Sequence, residues 1–403
     1  MAGSRSKKKR LRVISVNMCI AVSGLQNRIL PSLCVLGGTT FGIVVFASIV
    51  MSLYLSGVEA TTALAVLVAS VPVISFGSFA YGARFGGLLG HVNTLLTGRH
   101  DHKVARLKAF AEALENYDVL LLQELYTSWP LWLDYRFDSM FIEMCQAKGF
   151  GYVARPAPAK FPSVCMGTGL MILSKHPILK SETLSFKNQF VAEQFGVNRG
   201  MMYAQVSLNG GAGDELNLVD LFTVHTTASM GEALLKGGPS FLIDKAEYAR
   251  KMQFSEIGNW IRRQRTSPNV PLCIAGDFNA NIKHKPTGGI KDAGKAVDII
   301  TTTMVKGLGF KDLGWKVTYG YIPADKVLTN PGHAHDNQVT EDLIFIDNSN
   351  CSAENFRGVP WLATAEQREQ GFTHLSDHHG LAVDLVFGVL GGEEGAEKTV
   401  RKN

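Results

Sequence analysis

The sequence predicts an α+β fold. It would be a four-layer α/β sandwich, two packed mixed β-sheets flanked by helices, with a two-helix transmembrane hairpin inserted after the first strand. Three observations lead there. First, a strand-like opening, Arg12-Val13-Ile14-Ser15-Val16-Asn17, is followed by two long uncharged stretches, Ile29 to Val58 and Ala60 to Ala83. Second, strands and helices beyond them mix without strict βαβ alternation, and several strands are sequence neighbours, which argues against a doubly wound parallel sheet. Third, polar residues recur at strand ends: Asn17, Glu124, His225, Asp277, Asn279 and Asp342. Catalytic groups concentrate where a rigid sheet meets its loops.

Asn17 can join a site completed hundreds of positions later only if the apolar insert leaves the domain and brings the chain back, which an even number of membrane crossings does. Between Arg28 and Arg84 the only formal charge is Glu59. Each stretch exceeds the roughly 20 apolar residues a span requires. Gly37-Gly38 and Pro72, which weaken helices in water, are tolerated in lipid. A pair of buried core helices is the alternative; it would show regularly spaced polar positions, and few are present. A secretory signal fits poorly, because the first stretch begins late, is too long and is followed at once by a second. Lys7, Lys8, Lys9, Arg10, Arg12 and Arg28 precede the insert, and Arg84, Arg99, Lys103 and Arg106 follow it, while the turn Ser56–Ala60 carries no cation. The positive-inside bias then places both termini and the catalytic portion in the cytosol.

The expected organisation is a basic N-terminus with the first catalytic strand (1–28), the hairpin (29–84), a catalytic domain (85–388) completed by strand 11–17, and a charged, disordered tail (389–403). Of the 403 residues, those outside the insert suit one large core. Mean hydropathy is +0.08, high for a soluble enzyme, and the insert explains much of it. A formal net charge of +5 is too mild to indicate nucleic acid by itself. Beside a membrane hairpin, the Lys7–Arg12 cluster reads as a topology signal or an anionic-lipid contact more readily than as a nuclear signal. Six cysteines, Cys19, Cys34, Cys145, Cys165, Cys273 and Cys351, show no metal spacing, and reduced thiols are expected in the cytosol. The sequon Asn350-Cys351-Ser352 would be kept from the lumen by this topology.

Along the catalytic portion, His102–Asn116 has helical spacing, with Leu107, Phe110, Ala111 and Leu114 on one face. Asp118–Glu124 reads as a buried strand ending in a carboxylate, and Leu131–Ala147 as a helix. Strands are expected at 169–173, 201–207, 215–224, 271–275, 342–346 and 380–386, with helices at 243–263 and 296–306.

Each polar position is weak evidence alone. Glu124 can be a solvated strand edge, His225 a satisfied core histidine, Asp277-Phe278-Asn279 a turn, and Ser376-Asp377-His378-His379 an exposed loop. As a set they point further. Carboxylate and amide oxygens from Glu124, Asn17, Asp277 and Asn279 suit Mg²⁺, which prefers oxygen ligands and retains waters. Histidine then serves as acid or base near neutral pH.

In this set the sequence resembles the endonuclease/exonuclease/phosphatase superfamily of metal-dependent phosphodiesterases and phosphomonoesterases. The motifs occur in family order: Ile14–Asn17, Leu122–Glu124, Gly169–Ser174, Val224–Thr226, Gly276–Asn279, Glu341–Phe345 and Ser376–His378. Gly167-Thr168-Gly169-Leu170, leading into Ser174-Lys175-His176-Pro177-Ile178, is most similar to neutral sphingomyelinases. The resemblance implies that Glu124 is the principal Mg²⁺ ligand, with Asn17 beside it contacting phosphate. His378 would be the general base, oriented by Asp342, and Asp377 would support the metal and its water shell. Asp277 would position the attacking water, Asn279 would steady a phosphate oxygen, and His225 would donate a hydrogen bond or proton to the leaving oxygen. Three departures stand out: Asp342-Leu343 lacks the usual Asp-Tyr aromatic, Arg199 replaces a common Lys before Gly200, and Thr226-Thr227 follows His225 in a loop that can alter head-group choice.

The implied activity is that of a membrane-anchored phospholipase C acting on sphingomyelin or a related phosphosphingolipid. It would release ceramide and phosphocholine or another phosphorylated head group. A phosphoinositide or inositol phosphatase is second; it needs more cations near the site, for which Lys283-His284-Lys285 and Lys291 are candidates. A nuclease is disfavoured by the two predicted spans, so no nucleic-acid partner is expected, and a catalytically dead membrane scaffold by the complete polar set.

Overall fold

The structure, a computed structural model, describes residues 9–20, 103–126, 137–156, 167–189, 198–209, 217–228, 240–265, 267–284, 290–292, 298–312, 339–347, 351–369, 375–376 and 378–387. The expected hairpin (29–84), the expected tail (389–403) and Asp377 lie outside the described residues. Among the described residues no helix is long and apolar enough to cross a membrane.

In chain order the elements are β1 (Lys9–Ile20), α1 (Lys103–Leu114), β2 (Val119–Leu125), α2 (Phe137–Gln146), β3 (Tyr152–Ala154), β4 (Met171–Ser174), β5 (Ile178–Ser185), β6 (Gly200–Ser207) and β7 (Leu218–His225). They continue with α3 (Ser240–Gln264), β8 (Leu272–His284), β9 (Ile290–Asp292), a π-helical segment (Thr301–Lys306), β10 (Phe310–Asp312), β11 (Val339–Asp347), β12 (Cys351–Val359), α4 (Ala365–Glu369) and β13 (Gly380–Phe387).

The strands form two sheets of matching plan, β12-β13-β1-β2-β4-β3 and β10-β11-β8-β7-β6-β5, with β9 added beside β8. Each is built around one parallel pair, β1 with β2 and β7 with β8, flanked by antiparallel neighbours. The sandwich of two mixed sheets and flanking helices predicted from the sequence is therefore present.

Three apolar layers hold it together. Between the sheets lie Val13, Leu121, Ile172 and Val383 from one side and Val219, Leu221, Ala275 and Ile344 from the other. The outer face of the first sheet packs Ile14, Val16 and Leu120 against Leu107, Phe110 and Leu114 of α1 and Phe141 of α2. The outer face of the second packs Phe222, Val224, Ile274 and Phe345 against Phe254, Ile257, Trp260 and Ile261 of α3. Trp260 meets Phe222 and Tyr203 edge-on, at ring-centroid distances of 5.8 and 6.5 Å, a geometry that aromatic quadrupoles favour.

Successive side chains of a strand point to opposite faces, so this layering fixes where the polar strand ends aim. Val13 and Leu121 face the inter-sheet space, and therefore so do Asn17 and Gln123. By the same parity Leu221 leads to His225, Ala275 to Asp277, and Ile344 back to Asp342. The inter-sheet layer is thus apolar through the middle and turns polar at one end.

Several boundaries differ from expectation. The strand expected at 271–275 runs on to His284, so Asp277 and Asn279 sit within a strand. The helix expected at 296–306 ends as a π-helical segment. Strands β3, β5, β9, β10 and β12 were not anticipated. β5 exposes most of its positions and β12 fully buries only Cys351, so their sequences lack the two-residue apolar alternation that marks a half-buried strand.

Candidate active site

The polar end of the inter-sheet space is built by the C-terminal ends of both parallel pairs. His225 is the register partner of Asp277, and Asp277 is the partner of Asp342. The approach of β8 to β7 is unusually close at Gly276, where φ is +149° and a Cβ would lie 2.1 Å from the Val224 carbonyl oxygen. Only glycine fits there, and it brings Asp277 against His225: Asp277 Oδ2 lies 3.4 Å from His225 Nε2.

Strand parity would point Glu124 away from this space. Instead Glu124 has φ of +57°, and the β1–β2 register shifts beside it. Left-handed backbone costs a non-glycine residue on the order of 1–3 kcal/mol. The result is a Glu124 carboxylate 3.7 Å from His225 Nε2. Asn279 has a positive φ as well, +46°, fixed by its own N–H donating to Asp277 Oδ1 at 2.8 Å and its side-chain amide donating to the Thr226 carbonyl at 2.9 Å. From the other sheet, Asn17 Nδ2 donates to Asp277 Oδ2 at 3.0 Å. Below this layer Gln123 donates to Ser15 and, across the sheets, to Thr223 at 2.7 Å.

His378 approaches from the loop before β13. Its Nδ1 lies 2.8 Å from Asp342 Oδ2, with both residues buried. Its backbone N–H donates to Ser376 Oγ at 3.1 Å, and that hydroxyl donates to the Asn17 carbonyl at 2.7 Å. A carboxylate on Nδ1 fixes the tautomer that leaves Nε2 a proton acceptor. His379 is half-buried next to it.

The electrostatics are those of crowded, desolvated carboxylates. Burial raises the carboxyl of Asp277 far above the ordinary range, and the negative charges of Asp342 and Glu124 add to the rise. His225 is pushed well below its usual value by burial, then by the positive charges of Arg199 and His378, so it is neutral at physiological pH. Two overlapping groups have ligand atoms within 4.8 Å of one another: Glu124, His225 and Asp277, and Asp277, Asp342 and His378. The donor set is oxygen-rich and its carboxylates repel one another, which fits a hard divalent cation.

All the predicted site residues among the described ones, Asn17, Glu124, His225, Asp277, Asn279, Asp342 and His378, converge here; Asp377 lies outside the described residues. Arg199, read from the sequence only as a replacement for Lys, proves to be part of the cluster. It is buried, and its guanidinium touches both ring nitrogens of His225 and lies 3.5 Å from the Tyr126 hydroxyl. Tyr126 in turn packs on Gly169, where φ is +64° and a Cβ would meet the ring at 2.6 Å. Ser376 and Glu341, read from the sequence only as motif members without a role, also belong to the cluster; Glu341 Oε2 lies 3.9 Å from His378 Nε2. Thr226 and Thr227, expected in a loop that can alter head-group choice, are buried: Thr226 Oγ1 donates to the Phe278 carbonyl and Thr227 is held by Gln253. The side chains of Lys283, His284, Lys285 and Lys291 lie outside the described residues.

No curated protein matches this sequence. Among solved structures, beta toxin from Staphylococcus aureus is 16% identical with a TM-score of 0.49, the match covering 72% of this chain and 94% of that one. Sphingomyelinase C from Streptomyces griseocarneus is 15% identical with a TM-score of 0.47, covering 70% and 91%. Truncated TDP2 from Caenorhabditis elegans is 16% identical with a TM-score of 0.42, covering 70% and 90%. These are distant likenesses. The Endonuclease/Exonuclease/phosphatase family, by contrast, matches residues 92–378, well over half of the chain. The match begins after the apolar insert, and β1 adds Asn17 to the matched portion by pairing between β13 and β2. With its motif residues gathered at one end of the two-sheet sandwich, the chain belongs to the endonuclease/exonuclease/phosphatase family.

Proposed function

We propose that this protein is a membrane-anchored, Mg²⁺-dependent phosphodiesterase of the phospholipase C type. It hydrolyses sphingomyelin or a related phosphosphingolipid to ceramide and a phosphorylated head group. The observation that carries the hydrolytic reading is the buried His378–Asp342 pair, 2.8 Å apart, set against the Glu124–Asp277 carboxylates.

In this reading Glu124 and Asn17 hold Mg²⁺, and Asp377 supports its water shell. Bound Mg²⁺ supplies a Lewis acid for the charge that develops on the non-bridging phosphate oxygens. His378 accepts a proton from the attacking water at Nε2 while Asp342 holds the Nδ1 proton and stabilises the imidazolium. Asp277, fixed between Asn17 and the Asn279 N–H, orients that water. Asn279 presents an amide to a phosphate oxygen. His225 is neutral, so it acts on the leaving oxygen as a hydrogen-bond donor, with Arg199 as the adjoining permanent cation.

The sphingolipid choice rests on the sequence resemblance around Gly167–Leu170 and Ser174–Ile178. The anchor rests on the apolar stretches within 29–84, and their charged flanks support a cytosolic catalytic domain. A second reading, a phosphoinositide phosphatase, draws support from the buried Arg199 guanidinium, since a phosphomonoester carries an added negative charge. Purified protein assayed on head-group-labelled sphingomyelin, an inositol phosphosphingolipid and a phosphoinositide in mixed micelles separates these. Release of phosphocholine that needs Mg²⁺ and is lost in His378→Ala is the expected result. Release of inorganic phosphate from the phosphoinositide alone would replace it with the second reading.

A further inference from the structure

The strand directions show where the insert is attached. β1 enters the sandwich at the end opposite the active site, Lys9 pairing with Phe387, and leaves at the active-site end, just past Asn17. The chain returns at Lys103, and α1 then leads to β2, which starts at the far end. The return point is fixed by Arg106 in the first turns of α1. This arginine is buried; its Nε donates to the Leu375 carbonyl at 2.7 Å and its guanidinium to the Met18 carbonyl at 3.1 Å. Leu375 directly precedes Ser376, which positions His378. One side chain therefore ties the end of β1, the first turns of α1 and the loop of the candidate general base to the same place.

Chain length then decides the orientation. From Ile20 to Ile29, where the first apolar stretch begins, nine peptide steps reach at most about 32 Å. β1 itself spans roughly 36 Å at about 3.3 Å per residue. The apolar stretch cannot begin at the far end of the domain. Exposed apolar side chains do not make this choice, since they occur at both ends: Val104 and Leu362 near the site, Tyr152 and Leu179 away from it. The described cations of the N-terminal cluster occupy the far end and are engaged there: Lys9 with Asn217, Arg10 with Glu354 and Asp384, Arg12 with Asp118.

We propose that the catalytic end of the sandwich faces the bilayer that holds the insert, so that the site takes lipid head groups from that same leaflet. The substrate then needs no extraction into water, and the site draws on a locally concentrated lipid surface. This rests on the reading of 29–84 as a membrane hairpin, and not on the identity of the head group.

The test is positional. Full-length protein, with Cys19, Cys34 and Cys165 changed to Ser and the buried Cys145, Cys273 and Cys351 retained, receives one fluorophore. It is attached either through Lys187→Cys, just past β5 at the catalytic end, or through Ala147→Cys at the far end. Both positions are exposed. The proteins are reconstituted into phosphatidylcholine vesicles containing a lipid with a nitroxide on its head group. Quenching several-fold stronger at position 187 than at 147 is expected. Equal quenching, stronger quenching at 147, or failure of the intact protein to associate with vesicles overturns the proposal. Because fluorescence is read and not turnover, loss of the hydrolase reading in the micelle assay would leave this outcome standing.

Discussion

The two ends of the sandwich are built from the same strands and handle charge in opposite ways. At the far end, carboxylates meet cations or hydroxyl and amide donors: Asp118 takes Arg12, Glu115 takes Lys148, Asp347 takes Arg265, and Asp220 accepts from Tyr203 and Gln205. At the catalytic end, Glu124, Asp277 and Asp342 repel one another, next to two histidines. The backbone follows the same division. Two of the three non-glycine residues with positive φ among the described ones, Glu124 and Asn279, are in the site. The third, Asn355, lies in the edge strand β12 and donates to Asp384. Left-handed backbone alone is therefore not a mark of function; in the site it turns the Glu124 carboxylate towards His225 and sets the Asn279 N–H on Asp277. One end is arranged for stability, the other to be completed by a cation and a phosphate.

Substitutions should separate the two ends by orders of magnitude. The largest effect is expected for His378→Ala, about 10³-fold lower turnover with an unchanged melting temperature, measured on the preferred lipid in micelles. Glu124→Gln should cost on the order of 10²-fold and abolish the rise in melting temperature that Mg²⁺ produces. If Mg²⁺ still stabilises that variant, the ligand assignment is wrong. Arg199→Ala should lower turnover by about tenfold, with partial recovery in Arg199→Lys, because a point charge replaces only part of a planar donor.

The pH dependence of Mg²⁺ binding gives a finer test. Asp277 is raised to about 7, so below that pH the metal must displace a proton. His225, held neutral, adds nothing in the same interval. Affinity measured by calorimetry should therefore tighten by up to tenfold per unit as pH rises towards about 7, and level off above it. Affinity that does not change between pH 5 and 8 would remove Asp277 from the metal's surroundings. The smallest effect belongs to the far end. Arg12→Ala with Asp118→Ala should show a coupling below about 1 kcal/mol in denaturant unfolding, as for other partly exposed pairs, and no change in turnover. A tenfold activity loss there would dissolve the contrast between the ends.

Much of the site was legible because strand parity is written in the sequence. In Val13-Ile14-Ser15-Val16-Asn17 and Ile274-Ala275-Gly276-Asp277, the apolar run declares a buried strand, and the polar residue that ends it shares a face with the inter-sheet core. Arg199 was not legible as a participant. It opens β6 next to Gly200, and reaches His225 only because Gly200 pairs with His225 across the β6–β7 ladder. Thr226 and Thr227, legible only as a departure from relatives after His225, prove to be held inward by the Phe278 carbonyl and Gln253. Edge strands β5 and β12 were hidden because solvent on their exposed positions removes the pressure for an apolar pattern.

By itself the sequence determined the fold class, the apolar insert and the chemistry of the polar set. Each of these depends on local composition, periodicity or short motifs, which need no partner to be expressed. The tertiary structure alone decided how the set acts together. It turned Glu124 against its strand parity, placed Arg199 on His225, and joined α1 to the end of β1 and to the His378 loop through Arg106. Those contacts join residues 26 to 269 positions apart. Interactions over such separations arise from sheet pairing and packing, which no stretch of sequence carries alone.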